Sequence, residues 1–188
     1  MPLTRRTFLA AAAALPASLG VLLTLRRGPV DAAPMTAAVD EIRTSWKSLV
    51  PKGADVATST EPLARTNAEW RKVLAPQQYD VLREEGTERP FSSPLNDEKR
   101  AGVFVCAGCA LPLFTSRMKF DSGTGWPSFF TAIPNHVAMK KDYKIIVERD
   151  EYHCVRCGGH QGHVFDDGPP PTRQRWCNNG VALRFLPA

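Results

Sequence analysis

Two pairs of cysteines with the same spacing, Cys106-Ala-Gly-Cys109 and Cys154-Val-Arg-Cys157, constrain this chain more than any other feature. Each C-x-x-C knuckle brings two thiolates to one turn, and two knuckles complete the tetrahedral shell of one zinc ion. Residues 110–153 lie between them, a longer gap than a compact zinc ribbon uses. The metal is therefore expected to staple two distant hairpin turns of one domain. The alternative is two disulfides, although C-x-x-C disulfides are usually redox-active motifs rather than staples. A closed shell of four thiolates leaves no open coordination position, which argues against a zinc hydrolase.

The chain has five cysteines, so one thiol is left over: Cys177, in Arg175-Trp176-Cys177-Asn178-Asn179. From the residues alone it is either a small buried hydrophobe or a nucleophile. The length of 188 residues, with 43% hydrophobic and 23% charged, suits one packed domain plus a tail. The net charge of +5 includes Arg5, Arg6, Arg26 and Arg27, which flank an N-terminal apolar run. Elsewhere acidic and basic residues are interspersed, with no basic stripe, so nucleic-acid binding is not expected.

That N-terminal run reads as an address. Thr4-Arg5-Arg6-Thr7-Phe8-Leu9 is followed by apolar residues as far as Leu25, then Arg26-Arg27, then small residues. This is the order of regions in an export signal, and the paired arginines resemble the twin-arginine type. Residues 1–32 are assigned to it, with cleavage after Ala32 and a periplasmic or cell-envelope destination. A retained membrane anchor is the alternative, weakened by Pro16, Ser18, Gly20 and Thr24. Twin-arginine export, as the resemblance implies, carries folded proteins. Zinc loaded in the cytoplasm would then keep its thiols reduced in an oxidising compartment.

Residues 33–60 are expected to form a spacer with one helix, since Val39, Ile42, Trp46 and Leu49 recur near helical spacing. Residues 61–188 form the domain. Thr66-x-x-Glu69 is a capping box ahead of Trp70, Val73 and Leu74, and Pro76 stops that helix and opens another. Beyond Gly86, short runs at 102–105, 144–147 and 181–185 have strand character. The expected fold is mainly β, with short N-terminal helices before a small antiparallel domain.

Three stretches are dense in glycine, aspartate, histidine and asparagine: residues 119–129, 160–168 and 175–180. Such loops more often position side chains around a pocket than fill a core. Arg175 places a cation near Cys177, His160 and His163 can carry a proton at neutral pH, and Trp126 offers an aromatic wall.

These residues resemble the B-type methionine-R-sulfoxide reductases. The matching landmarks are Glu69-Trp-Arg-Lys-Val-Leu74, Gly86-Thr-Glu-Arg-Pro-Phe91, both knuckles, Lys119-Phe-Asp-Ser-Gly123, Gly125-Trp-Pro-Ser-Phe129, residues 162–169 and Leu183-Arg-Phe185. The resemblance implies two antiparallel sheets with structural zinc on Cys106, Cys109, Cys154 and Cys157, away from the active site. It makes Cys177 the nucleophile that attacks the sulfoxide sulfur and becomes a sulfenic acid. His163, with His160, would donate toward the oxygen. Trp126 would pack on the substrate methyl, Asn179 and Asp167 would order groups around the oxygen, and Arg175 would favour the thiolate. Oxidised proteins and peptides would be the substrates of a monomer.

The chain departs from that pattern at Thr124, where many members carry a second, resolving cysteine. No spare thiol remains, so reduction by a thioredoxin-like protein or a small thiol is expected. Gln161, Trp176, Asn178 and Gly180 are smaller departures. The competing reading is a non-catalytic, zinc-stapled binding module, which leaves Cys177, both histidines and Trp126 without a task.

Overall fold

The computed structural model describes residues 32–143 and 148–188. The expected signal at 1–32 and the expected strand at 144–147 therefore fall outside the described residues, Ala32 apart. The remainder is mainly β, with three short α-helices ahead of two antiparallel sheets.

Helix α1, Ala32–Thr44, runs into a 3-10 turn at Ser45–Leu49. Its apolar positions face the domain: Val39 is buried, and Ile42 and Trp46 pack against the core. The Trp46 ring meets His136 edge-on at 5.4 Å. The segment expected to be a spacer is thus tied down, and further along Ala57 N donates to Ala110 O at 3.0 Å.

Helix α2, Asn67–Val73, starts where the capping box sets it. The Thr66 hydroxyl accepts from Glu69 N, and the Glu69 carboxylate accepts from Thr66 N. Helix α3, Pro76–Glu84, opens on proline and stops at Glu85, whose φ of 56° is left-handed. Trp70, Leu74, Tyr79, Val81 and Leu82 bury the inner faces of this pair in the same cluster as Cys106, Cys154 and Cys157. Arg83 Nη1 donates to Cys157 O at 2.8 Å, which fixes α3 on the second knuckle.

The smaller sheet comprises β1 (Gly102–Cys106), β2 (Pro112–Thr115) and β9 (Leu183–Pro187), in the order β2-β1-β9. The larger has β3 (Lys119–Phe120), β4 (Ser128–Phe129), β5 (Val137–Asp142), β6 (Arg149–Cys154), β7 (His160–Phe165) and β8 (Arg175–Asn178). Its order is β3-β4-β8-β7-β6-β5, with all neighbours antiparallel. Aromatic rings join strands of the two sheets. Phe114 stacks on Phe129 at 4.1 Å, Phe104 meets Phe129 at 5.0 Å, and Phe114 meets Tyr152 edge-on at 6.1 Å. Such contacts contribute about 0.5–1.5 kcal/mol each beyond the area they bury.

The expected strand at 181–185 differs in detail. The chain first makes a 3-10 turn at Gly180–Ala182 and becomes a strand only at Leu183. The cause is Glu88, 4% exposed, whose carboxylate accepts from the N–H groups of Gly180 and Val181. A buried acid at the start of a turn takes up donors that a strand would need elsewhere.

Glycine is required at one point of the larger sheet. A Cβ on Gly162 would run into the carbonyl of Cys177 on the neighbouring strand. The close pairing of β7 with β8 depends on that missing side chain.

Candidate active site and metal centre

The β7–β8 register opposes Gly162 to Asn178, His163 to Cys177, Val164 to Trp176 and Phe165 to Arg175. On the other side of β8, Ser128 opposes Cys177. Alternation along β8 then sorts its side chains. Trp176 and Asn178 enter the core, while Arg175 and Cys177 share the opposite face with His163 and Phe165. Cys177 is half-buried at a hollow of about 130 Å³ whose walls include Trp126, His163, Phe165 and Arg149. Trp126 is steadied by its indole N–H, which donates to Glu88 O at 3.2 Å.

Burial pushes the Cys177 thiol above its ordinary value. The Arg175 cation and the Thr124 hydroxyl pull in the opposite direction, and Asp167 adds to the upward push. Arg175 thus acts in the expected sense, but desolvation outweighs it. Arg175 is itself neutralised: Nε and Nη2 reach the two Asp167 oxygens at 2.7 and 2.9 Å, and its guanidinium lies 4.3 Å over the Phe165 ring. Thr124 belongs to a run of hydroxyls. Its Oγ1 is 2.8 Å from Ser122 Oγ, which is 2.9 Å from the buried Ser128 Oγ. Thr124 is thus held by Ser122 while its hydroxyl favours the Cys177 thiolate.

The structure separates the two histidines. His163 lines the hollow, with Nε2 2.8 Å from Asp142 Oδ2. The same oxygen accepts from Arg149 Nη2 at 2.5 Å. His160 is 2% exposed and does not line the hollow. Its Nδ1 lies 2.9 Å from Glu151 Oε1, and its ring meets His163 edge-on at 5.5 Å. Burial holds its imidazolium form below the ordinary range, against the opposing pull of Glu151. Asn179 borders the hollow, but its amide is spent on backbone: Oδ1 accepts from Glu88 N, and Nδ2 donates to Gln161 O. Asp167 bears on the site through Arg175.

Sequence reasoning missed Asp142 and Arg149. Asp142 is 6% exposed and opposes Arg149 in the β5–β6 register. With 144–147 read as one apolar run, both fell at its edges. Their meeting comes from the β5–β6 register, where cross-strand partners face each other, and not from a local sequence pattern.

The four remaining cysteines converge. Their sulfurs all lie within 4.8 Å of one another, with Cys106 and Cys157 at 3.6 Å and Cys109 and Cys154 at 3.5 Å. Four sulfurs at the usual zinc–sulfur distance stand roughly 3.8 Å apart, so the cluster fits a tetrahedral ion. Chemistry agrees with geometry. Crowded by the other three thiols and buried, Cys106 is pushed well above its ordinary value. Four neighbouring thiolates need a cation.

Fold and site define a β protein stapled by four cysteines, whose fifth thiol stands apart in a lined hollow. The family model described as the SelR domain matches residues 74–187. A peptide methionine sulfoxide reductase MsrB of Methanosarcina barkeri is 52% identical over 122 residues, covering 64% of this chain and 86% of that protein. One from Leifsonia xyli is 46% identical over 135 residues, 71% of this chain and 97% of that protein. The chloroplastic peptide methionine sulfoxide reductase B1 of Arabidopsis thaliana is 43% identical over 152 residues, 80% of this chain and 75% of that protein. The chain belongs to the MsrB family, built on the SelR domain.

The balance at Cys177 predicts its reactivity. The pH profile of its alkylation should have a midpoint above that of an ordinary thiol. Arg175→Met and Thr124→Val should each move the midpoint higher, because each removes a group that favours the thiolate. A midpoint at or below the ordinary value, or one that both variants leave in place, would contradict this electrostatic account.

Proposed function

We propose that the protein reduces methionine-R-sulfoxide in oxidised peptides and proteins to methionine, with Cys177 as nucleophile. The observation that carries this reading is the pairing of Cys177 with His163 across β7–β8, at a hollow walled by Trp126. Membership of the MsrB family supports it, since relatives bear the name peptide methionine sulfoxide reductase.

The hollow has room for one side chain, and the flat indole of Trp126 suits an S-methyl group. The Cys177 sulfur bonds to the sulfoxide sulfur while the oxygen takes up a proton. The sulfur–oxygen bond and the new sulfur–sulfur bond then break as the hydroxyl passes to the Cys177 sulfur, and methionine leaves as the thioether. The sum is thiol plus sulfoxide giving sulfenic acid plus thioether, so no proton or electron is left over. His163 is the acid. Asp142 holds its Nε2, leaving Nδ1 to exchange a proton with the oxygen. His160, away from the hollow, supports the His163 ring rather than meeting substrate.

With only five cysteines and four in the cluster, no second thiol is placed to attack the sulfenic acid. An outside thiol forms a mixed disulfide with Cys177 and releases water, and a second thiol frees Cys177 again. The donor is a thioredoxin-like protein or a small thiol. Zinc on Cys106, Cys109, Cys154 and Cys157 stabilises the fold and takes no part in the reaction. The paired arginines near the N-terminus support export of the folded protein by the twin-arginine machinery to the periplasm or cell envelope.

In an assay that separates the two sulfoxide epimers of an oxidised peptide, only the R form should be consumed. Cys177→Ser should give no turnover. His163→Ala should stay folded and zinc-loaded but lose about 10²–10⁴-fold in rate. Near-normal turnover in either variant refutes the assignment. Exchanging Arg5 and Arg6 for lysines should retain the protein in the cytoplasm on cell fractionation; unchanged export would refute the address.

A further inference from the structure

Gln161 and Asn178, two separate departures from the family pattern in the sequence, meet inside the protein. Both are completely buried. Gln161 Nε2 donates to Cys106 Sγ at 3.4 Å, and its Oε1 accepts from Asn178 Nδ2 at 3.4 Å. Asn178 also donates to Asn179 O at 2.7 Å, and its Oδ1 accepts from Tyr152 Oη at 2.7 Å. Asn178 follows Cys177 directly on β8. Gln161 O in turn accepts from both Asn179 N and Asn179 Nδ2, at 2.8 and 3.0 Å. A continuous path of hydrogen bonds therefore runs from a sulfur of the four-cysteine cluster to the residues flanking the nucleophile.

The path has a direction. A sulfur that ligates a cation is a thiolate and can only accept. Facing it, Gln161 must present its NH₂, which turns Oε1 toward Asn178. Asn178 must then present its own NH₂ to Gln161, which leaves Oδ1 for the Tyr152 hydroxyl. One anionic sulfur thus sets the orientation of two amides, and a bond to a charged acceptor is roughly twice as strong as a neutral one. Buried amides elsewhere would be a liability, because each unsatisfied group costs about 1–3 kcal/mol.

We propose that Gln161 and Asn178 form an amide bridge that couples retention of the cation in the four-cysteine cluster to the placement of the Cys177 strand. Both are positioning residues, Gln161 acting on the cluster directly and Asn178 only through Gln161. Coupling of this kind is reciprocal, so a change beside Cys177 must be felt at the metal. The inference rests on the reading of the cluster as a zinc site.

The test is zinc release from the full-length, zinc-loaded protein to a chromophoric chelator. It compares wild type, Gln161→Met, Asn178→Leu and the double variant, with melting temperatures measured alongside. Gln161→Met should speed release about tenfold, the scale of losing a hydrogen bond to a ligand atom. Asn178→Leu, which has no hydrogen bond to the cluster, should speed it about threefold or more by releasing the Gln161 amide. The double variant should be no faster than Gln161→Met. Release from Asn178→Leu at the wild-type rate, or two effects that simply multiply, would overturn the bridge. A second measurement needs no variant. Exchanging zinc for cadmium-113 should shift the side-chain amide resonances of both Gln161 and Asn178, and a shift confined to Gln161 would overturn the proposal. Purified protein without zinc would refute the zinc reading, and the bridge with it.

Discussion

The close antiparallel pairing of β7 with β8 is the constraint on which the rest depends. It is possible because residue 162 has no side chain to meet the Cys177 carbonyl. It sets His163 opposite Cys177 on one face and Val164 opposite Trp176 on the other. A slip of one residue would turn Cys177 into the aromatic core and Trp176 out to the hollow. A polar network reinforces that register: Gln161, Asn178, Asn179 and Glu88 are buried and bonded to one another or to backbone. Alternation of core and outward side chains specifies the register, and the buried polar groups add a penalty for any other arrangement.

The electrostatics of the site follow from burying a thiol and then compensating in part. Desolvation at the hollow raises Cys177, and the cation that opposes it is shared with Asp167. Such a thiol is protected from idle oxidation, because the thiolate is the reactive form. His163 is served differently, through a buried carboxylate that Arg149 also contacts. Opposed charges thus meet at both ends of the site, and the ions beside Cys177 and His163 are each paired with an opposite charge.

Much of this was legible in the sequence. The knuckles announced the four-cysteine cluster, the capping box and Pro76 set α2 and α3 where they are, and the mainly β class followed from the short apolar runs. The arithmetic of five cysteines singled out Cys177 before any fold was known. Cross-strand partners were not legible. Asp142 reaches His163 from two strands away, by way of β6, and no local pattern encodes that. His160 and His163 look equivalent in sequence, yet across the β-bulge between β6 and β7 at Tyr152/His153 only His163 reaches the hollow, its side chain 13% exposed against 3% for His160. Gln161 and Asn178 read as unrelated departures because only the pairing of their strands makes them neighbours.

On the proposed function, one thiol carries the whole redox change. The most direct measurement is a single turnover without reductant, in which zinc-loaded protein is mixed with an excess of a methionine-R-sulfoxide peptide and then analysed by intact-mass and peptide mass spectrometry. The account predicts one equivalent of methionine peptide per chain and one added oxygen on Cys177, trapped by a sulfenic-acid reagent. A disulfide joining Cys177 to a cluster cysteine, or methionine formed with Cys177 unmodified, would contradict it.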